Sequence, residues 1–297
     1  MLTQKLISVS SKKALILRSL HQTPHNERVR AVNANAKIAD TAEYKREVLY
    51  RFKLPNNKEI TFEKSDPKKD ATLLKSFFTA YFADNEPIGR YYYGYPDAEN
   101  AVADYLEPLY SFAVLAKVEG NIIGGSSFIT KKLNSQLLEL PEFPKDFGKI
   151  IEKGPTPQFR ANVVINYNNA CESVISYYAP SPCTVSMLNG VAVHPKFRGL
   201  GLAKLLNIAG FQVAYEQGSD YVGTNCTSPV NAQLFCDLPG QKLVHKFKYA
   251  DYQVNGDRPF AELAPKDAFN GIFLMDLKQH WPEYQRLLKS VLKEYKK

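Results

Sequence analysis

Apolar residues recur along this chain with two periods, and the switches between them mark its elements. Val48–Leu54 and Glu59–Phe62 alternate apolar and polar positions around Pro55-Asn56-Asn57, which predicts a turned strand pair. Asp66–Lys69 then opens a helix with Leu73, Leu74, Phe77, Phe78 and Tyr81 on one face at 3–4 spacing. A second helix is expected over Ala98–Tyr110. Phe112–Val118 and Ile122–Ile129 flank Glu119-Gly120-Asn121, a hairpin signal. The Pro-rich stretch 131–158 is weakly patterned and reads as an insertion loop with a short helix, followed by helix over Gln158–Ser176. Val185–Val193 is a strand, Gly199–Gln217 a helix, Tyr221–Cys226 a short strand, and Asn231–Asp237 a short helix; Leu243–Tyr249 and Gly271–Leu277 close the sheet. Near the end, Pro282 suits a first helical turn. Trp281, Tyr284, Leu287, Leu288, Val291, Leu292 and Tyr295 form a helical stripe that reads as a core-packing face before a membrane-surface one. Helices inserted into a mostly antiparallel sheet make an α+β fold, a mixed α/β layer. No repeat is visible. One domain over 44–297, preceded by a segment over 1–43, accounts for the pattern.

The 297 residues are 44% hydrophobic and 12% aromatic, ample for a packed core. No apolar run approaches the roughly 20 residues that span a bilayer. Cys171, Cys183, Cys226 and Cys236 lack metal-knot spacing, so no metal is expected and a reducing compartment fits. The net charge of +8 is concentrated at the two ends: residues 1–31 hold six Lys/Arg against Glu27, and 278–297 hold six against Glu283 and Glu294. The body between is near neutral, which argues against a nucleic-acid groove. Residues 1–26 are basic, Ser-containing, partly apolar and free of acids. That composition resembles a mitochondrial transit peptide, and a basic tail on a cytoplasmic protein is the equal alternative.

The richest segment is Val191–Leu206, VAVHPKFRGLGLAKLL. A β-rich run meets His194-Pro195, a basic turn with Gly199 and Gly201 follows, and an apolar helix starts. Glycines let backbone N–H groups approach an anion, and the helix start aims its unpaired N–H groups and positive dipole end at the same place. A P-loop would need Lys-Ser or Lys-Thr after its second glycine. A dinucleotide fingerprint would need a glycine where Lys204 stands. The remaining pattern is strand, [Q/R]-x-x-G-x-[G/A], helix, here Lys196 to Gly201.

This segment resembles the acyl-CoA loop of the GNAT superfamily of N-acetyltransferases, with Lys196 in place of the usual Gln or Arg. The resemblance implies a twisted, mixed, mostly antiparallel sheet flanked by helices, acetyl-CoA as co-substrate, and a small-molecule amine as acceptor. It assigns the coenzyme to Val191, Ala192 and Val193 at the strand end, to Arg198, Gly199, Leu200, Gly201, Leu202 and Ala203 around the diphosphate, and to Asn231 on the arm. A bulge in the strand over 188–193 is implied as well, turning an N–H toward the thioester oxygen. An amine with a pKa of about 10 is mostly protonated at neutral pH, so a base is required. Phe82-Ala-Asp-Asn-Glu86-Pro87 is similar to the Asp-Glu-Pro-Leu stretch of insect-type arylalkylamine N-acetyltransferases, whose glutamate is the general base. Pro87 keeps Glu86 out of helical geometry, on an elbow after an apolar helix; a solvated carboxylate at the helix end is the other reading. His194, beside Pro195, is expected to be structural. Phe235 stands where the family often has a Tyr that protonates the leaving thiolate, which leaves Cys226, Thr227, Ser228 or water for that role. Tyr91, Tyr92, Tyr93 and Tyr95 are candidate pocket residues for an aromatic amine; surface and core tyrosines are the plainer expectation. The rivals to a small-amine N-acetyltransferase are a protein lysine acetyltransferase and a catalytically silent acyl-CoA-binding module.

Overall fold

The computed structural model describes residues 37–53, 57–82, 86–265 and 268–294. The basic segment 1–36, the tip of the first strand turn (54–56), Ala83-Asp84-Asn85 and Tyr295 lie outside the described residues.

Among the described residues nine strands form one sheet: β1 (Ile38–Ala39), β2 (Glu47–Lys53), β3 (Glu59–Ser65), β4 (Phe112–Val118), β5 (Asn121–Leu133), β6 (Cys183–Val193), β7 (Tyr221–Cys226), β8 (Lys242–Lys248) and β9 (Phe269–Asp276). The order is β2-β3-β4-β5-β6-β7-β9-β8, with β1 added to β5 at Ile38↔Ile122. The folded body therefore begins ahead of residue 44. Neighbours are antiparallel except β6 and β7, which run parallel. That pair needs a crossover connection, and the helix over 202–216 supplies it.

The helices are α1 (Ala71–Tyr81), α2 (Pro87–Tyr92), α3 (Pro96–Leu106), α4 (Gly148–Ile151), α5 (Phe159–Ser173), α6 (Ile175–Tyr178), α7 (Leu202–Glu216), α8 (Pro229–Cys236) and α9 (Leu277–Glu294). The sheet is covered on both faces. On one, α7 lies across β3 to β6, and its Leu206, Phe211 and Ala214 join Phe62, Phe112, Phe128, Phe235, Phe273 and Tyr284 in the main core. On the other, α1 packs Leu74 and Phe77 against Leu115, while α5 and the chain over 249–260 build an aromatic cluster of Tyr167, Tyr249, Tyr252 and Phe260.

The predicted stripe of α9 meets the main core through Trp281, Tyr284 and Leu288, and Trp281 stacks on Tyr215 with centroids 5.2 Å apart. Its start differs from expectation. The helix leaves β9 directly, with Asp276 Oδ1 accepting the Gln279 N–H at 2.8 Å, so Pro282 falls inside the helix and not in its first turn. β5 runs on to Leu133, past the expected start of the insertion at 131, and residues 134–158 hold the one-turn α4 in otherwise irregular chain. The short α2 was not anticipated, because six residues carry too little periodicity to register.

Arg46, just ahead of β2, anchors the edge of the sheet to α1. Its side chain is 1% exposed and pairs with Asp40 at 2.9 Å and Asp70 at 2.7 Å. Lys117 joins Asp40 at 3.0 Å and Glu63 at 2.8 Å. Burial alone would raise the Asp40 pKa, but the Arg46 and Lys117 partners outweigh it and hold the carboxyl at about 2.

Candidate functional site

β6 and β7 begin as a hydrogen-bonded parallel pair and then separate. Their pairs run from Val185↔Tyr221 to Leu188↔Thr224, although β6 continues to Val193 and β7 to Cys226. Beyond Leu188 the β7-facing edge of β6 is free of ladder partners among the described residues. The gap lies at the carboxyl ends of the two parallel strands, where open α/β sheets place their ligands.

At the mouth of this gap β6 bulges. Ser127 pairs with Gly190 and Phe128 with Leu188, which leaves Asn189 as the extra residue. Its side chain reaches the Tyr110 hydroxyl at 3.5 Å. Next to it Gly190 is closely packed: a Cβ there would sit 3.3 Å from the Phe82 ring, which would have to give by a few tenths of an ångström. Val191, Ala192 and Val193 continue along β5, opposite Ser126, Gly125 and Gly124.

The chain then turns through His194 to Gly201 into α7. His194 is buried; its Nδ1 accepts the Lys196 N–H at 3.2 Å, and its ring sits 5.0 Å from the Tyr81 ring, so this side chain builds the turn. Arg198 also holds the loop: Nε donates to the Val193 carbonyl at 2.9 Å, and an Nη group reaches the Tyr81 carbonyl at 3.4 Å. Its own N–H faces the Pro195 carbonyl at 3.3 Å. Gly199 and Gly201 adopt φ of +79° and +75°, a region L-residues with a Cβ rarely enter, and both open onto space with nothing within 4 Å of a built Cβ. The first helical bond of α7 runs from Leu205 N–H to Gly201 O at 3.2 Å. Ahead of it, no backbone hydrogen bond engages the Gly199, Leu200 or Gly201 N–H among the described residues, and Leu202, Ala203 and Lys204 are first-turn donors without an intrahelical acceptor. These bare donors lie at the positive end of a helix Leu202–Glu216, with exposed Leu200 beside them. The arrangement accepts an anion of several oxygens.

Glu86 stands at the start of α2, which packs on α5 on the other face of the sheet. It is the extended N-cap residue of α2, with φ −116° and ψ 128°, as Pro87 demands. Its side chain is buried, 7% exposed, and not the solvated carboxylate of the alternative reading. Burial pushes its pKa from 4.5 up to about 8, opposed by the Gly89 N–H. The carboxyl lies close enough to Tyr92 and Tyr249 to add to the rise that burial imposes on both phenols. Tyr249 in turn donates to the Thr227 carbonyl, immediately after β7. Tyr92 neighbours Tyr110, which meets the Asn189 bulge. Of the two phenols near Glu86, Tyr249 is thus tied to the end of β7, and Tyr92 lies near the tyrosine that meets the β6 bulge. A carboxyl poised near 8 takes up a proton readily once it ionises.

The other sequence candidates separate. Asn231 is half-buried in the first turn of α8. Phe235 is fully buried between Phe211 and Phe273, with centroids 6.4 and 5.8 Å away, so its position belongs to the core. Cys226 is fully buried too, and burial drives its thiol pKa far up. Tyr91 and Tyr95 are already occupied: the Arg160 guanidinium lies 4.8 Å and 4.1 Å from their ring centroids, and its Nη1 donates to the Tyr91 carbonyl at 2.9 Å. Arg160 thus already supplies, at these two rings, the cation that the pocket reading gave to a ligand. Among the described residues no group of three or more His, Cys, Asp or Glu is placed to hold a metal ion, and no helix is long and apolar enough to cross a membrane.

No protein-family model matches the chain, and no curated protein matches it in sequence. Solved structures do. An arylalkylamine N-acetyltransferase 2 from Aedes aegypti is similar with TM-score 0.54 at 18% identity, over 73% of this chain and 99% of that one. The polyamine N-acetyltransferase of Drosophila melanogaster gives 0.53 at 17%, over 73% and 98%. An agmatine N-acetyltransferase gives 0.54 at 17%, over 73% and 97%. At these identities the likeness establishes the fold: a mixed, largely antiparallel sheet flanked by helices, as in the GNAT acetyltransferases.

Proposed function

We propose that this chain is an acetyl-CoA-dependent N-acetyltransferase acting on a small amine by direct attack in a ternary complex. One observation carries the reading: the free N–H groups from Gly199 to Lys204 sit at a helix N-terminus, at the open end of the β6–β7 gap. Acetyl-CoA has the matching parts, a diphosphate for the donors and a thin thioester arm for the gap. Arg198, with its guanidinium and N–H engaged within the protein, shapes the loop, while Gly199, Leu200, Gly201, Leu202 and Ala203 supply backbone contacts. The edge of β6 from the Asn189 bulge through Val191, Ala192 and Val193 receives the arm, and the bulge offers a backbone donor for the thioester oxygen as the tetrahedral oxyanion forms. Asn231, at the start of α8, borders the arm on the β7 side.

In this reading Glu86, once ionised, takes a proton from the bound ammonium. The neutral amine attacks the thioester carbon; as the intermediate collapses the C–S bond breaks and the second nitrogen proton passes, through water, to the departing sulfur, giving the amide and the CoA thiol. Solved structures of the same fold whose names record agmatine, polyamine and arylalkylamine acetylation support a small amine as acceptor. The aromatic residues near Glu86 leave an arylalkylamine open as the finer choice. The test is thiol release from acetyl-CoA over a panel of amines, with wild type and Glu86→Gln. Amine-dependent release that falls about 100-fold or more in Glu86→Gln is the expected result for a general base. Binding of acetyl-CoA without transfer to any amine would identify the silent acyl-CoA module, the alternative that the buried phenylalanine at 235 favours.

A further inference from the structure

Asn207, on α7, is 0% exposed, and neither its amide oxygen nor its amide nitrogen has a partner among the described residues. A primary amide can make four hydrogen bonds, and leaving all of them unmade inside a core is a cost that an apolar residue of similar size would avoid. Its neighbours fix where it stands. Gly210, three residues on, lies against the Phe128 ring, and Phe128 pairs with Leu188, the last β6 residue bonded to β7. The Leu206 carbonyl, one residue earlier, accepts the Ser126 hydroxyl at 3.2 Å, and Ser126 pairs with Val191. Asn207 is therefore level with β6 residues 188–191, where β6 leaves β7. Phe211, four residues on and on the same helix face, meets Phe235 of α8. Tyr284 of α9 meets the Phe211 ring too, at 5.4 Å, so Asn207 lies on the helix face turned toward α8 and α9, at the β6–β7 end of the sheet.

The gap is the course assigned above to the CoA arm, and this inference rests on that reading. The arm joins its diphosphate to its sulfur through two secondary amides, each with one N–H and one C=O, which a primary amide can meet as acceptor and donor. We infer that Asn207 is a binding residue for the acyl-CoA arm, its amide satisfied by one of those two groups when the coenzyme is loaded. The loop reads the diphosphate, and Asn207 reads the chain hanging from it.

Titration calorimetry on wild type, Asn207→Leu and Asn207→Ala tests this with two ligands: CoA, and adenosine 3′-phosphate 5′-diphosphate, which keeps the diphosphate and lacks the arm. Both variants should bind CoA about 10-fold more weakly and the nucleotide within about twofold of wild type, as one buried hydrogen-bonding contact predicts. KM for acetyl-CoA should rise with kcat at saturation unchanged, and Asn207→Leu should melt no lower than wild type. Unchanged CoA binding, or equal weakening of both ligands, would overturn the inference and leave the enzyme reading intact. Failure of wild type to bind either ligand would overturn the enzyme reading and this one together.

Discussion

Replacing Glu86 by glutamine keeps the side chain's shape and deletes its titration, which isolates what burial does to this carboxyl. It is 7% exposed, with its pKa moved from 4.5 to about 8. Each pH unit corresponds to about 1.4 kcal/mol, so ionising Glu86 inside the fold costs about 5 kcal/mol more than in the unfolded chain. Between 4.5 and about 8 the folded protein keeps this proton and the unfolded chain has released it. The native state then binds more protons, so Glu86 makes stability fall as pH rises across that window, and the fall is complete above about 8. Glu86→Gln lacks the slope. Urea unfolding of both proteins at about pH 5 and about pH 9 should show the variant gaining on wild type by several kcal/mol, up to about 5, with other titrating groups cancelling in the difference. In the same buffers kcat/KM of wild type should climb tenfold per unit below about 8 and then level off, and the variant should lose that limb. A gap between the two unfolding curves that does not change with pH would mean that Glu86 titrates as an exposed carboxylate, and the reasoning from burial would be refuted.

Gly201→Ala places a Cβ at φ +75° and should lower stability by about 1 kcal/mol in urea melts, while calorimetry should show CoA and adenosine 3′-phosphate 5′-diphosphate weakened alike, because both carry the diphosphate that the loop receives. Arg46→Ala leaves Asp40 and Asp70 without their buried cation and should cost about 3–5 kcal/mol, read from urea midpoints. With its pKa held at about 2, Asp40 contributes stability that is present above its unfolded pKa and lost as pH falls toward about 2; acid titration of wild type should show that loss, and Arg46→Ala, which keeps only Lys117 beside Asp40, should show a smaller one. Phe235→Tyr puts a hydroxyl into the core and should cost about 1–3 kcal/mol with no rise in kcat; a faster enzyme would show that the position faces the reaction.

Long periodic segments were readable from sequence, and α1, α7 and the strands from β4 to β7 fall within a few residues of expectation. The glycine loop was readable as well, because its chemistry depends on missing side chains and on a helix start, both visible in residue order. What escaped depends on tertiary contact. Ile38–Ala39 is too short to carry a pattern and is a strand only because β5 offers it an edge. Pro282 suggested a helix start, but the Asp276 cap and the packing of Trp281 set the start earlier. Tyr91 and Tyr95 looked free until Arg160, far along the chain, was found stacked on both. Asn207 sits among Leu205, Leu206 and Ile208, where its spacing gave no sign that its amide would be stranded. Glu86 is the intermediate case: Pro87 announced its backbone, and only the fold supplied its burial.

Arg198 holds the Val193 carbonyl and the Tyr81 carbonyl with one guanidinium, and Tyr81 ends the helix that precedes the Glu86 elbow. The two halves of the proposed reaction are thus riveted by a single planar fork. A lysine there would preserve the positive field at the cradle but grip only one oxygen at a time. The seam between coenzyme and base would slacken without any change in charge, so substitution at this residue should desynchronise the two partners and leave each of them whole.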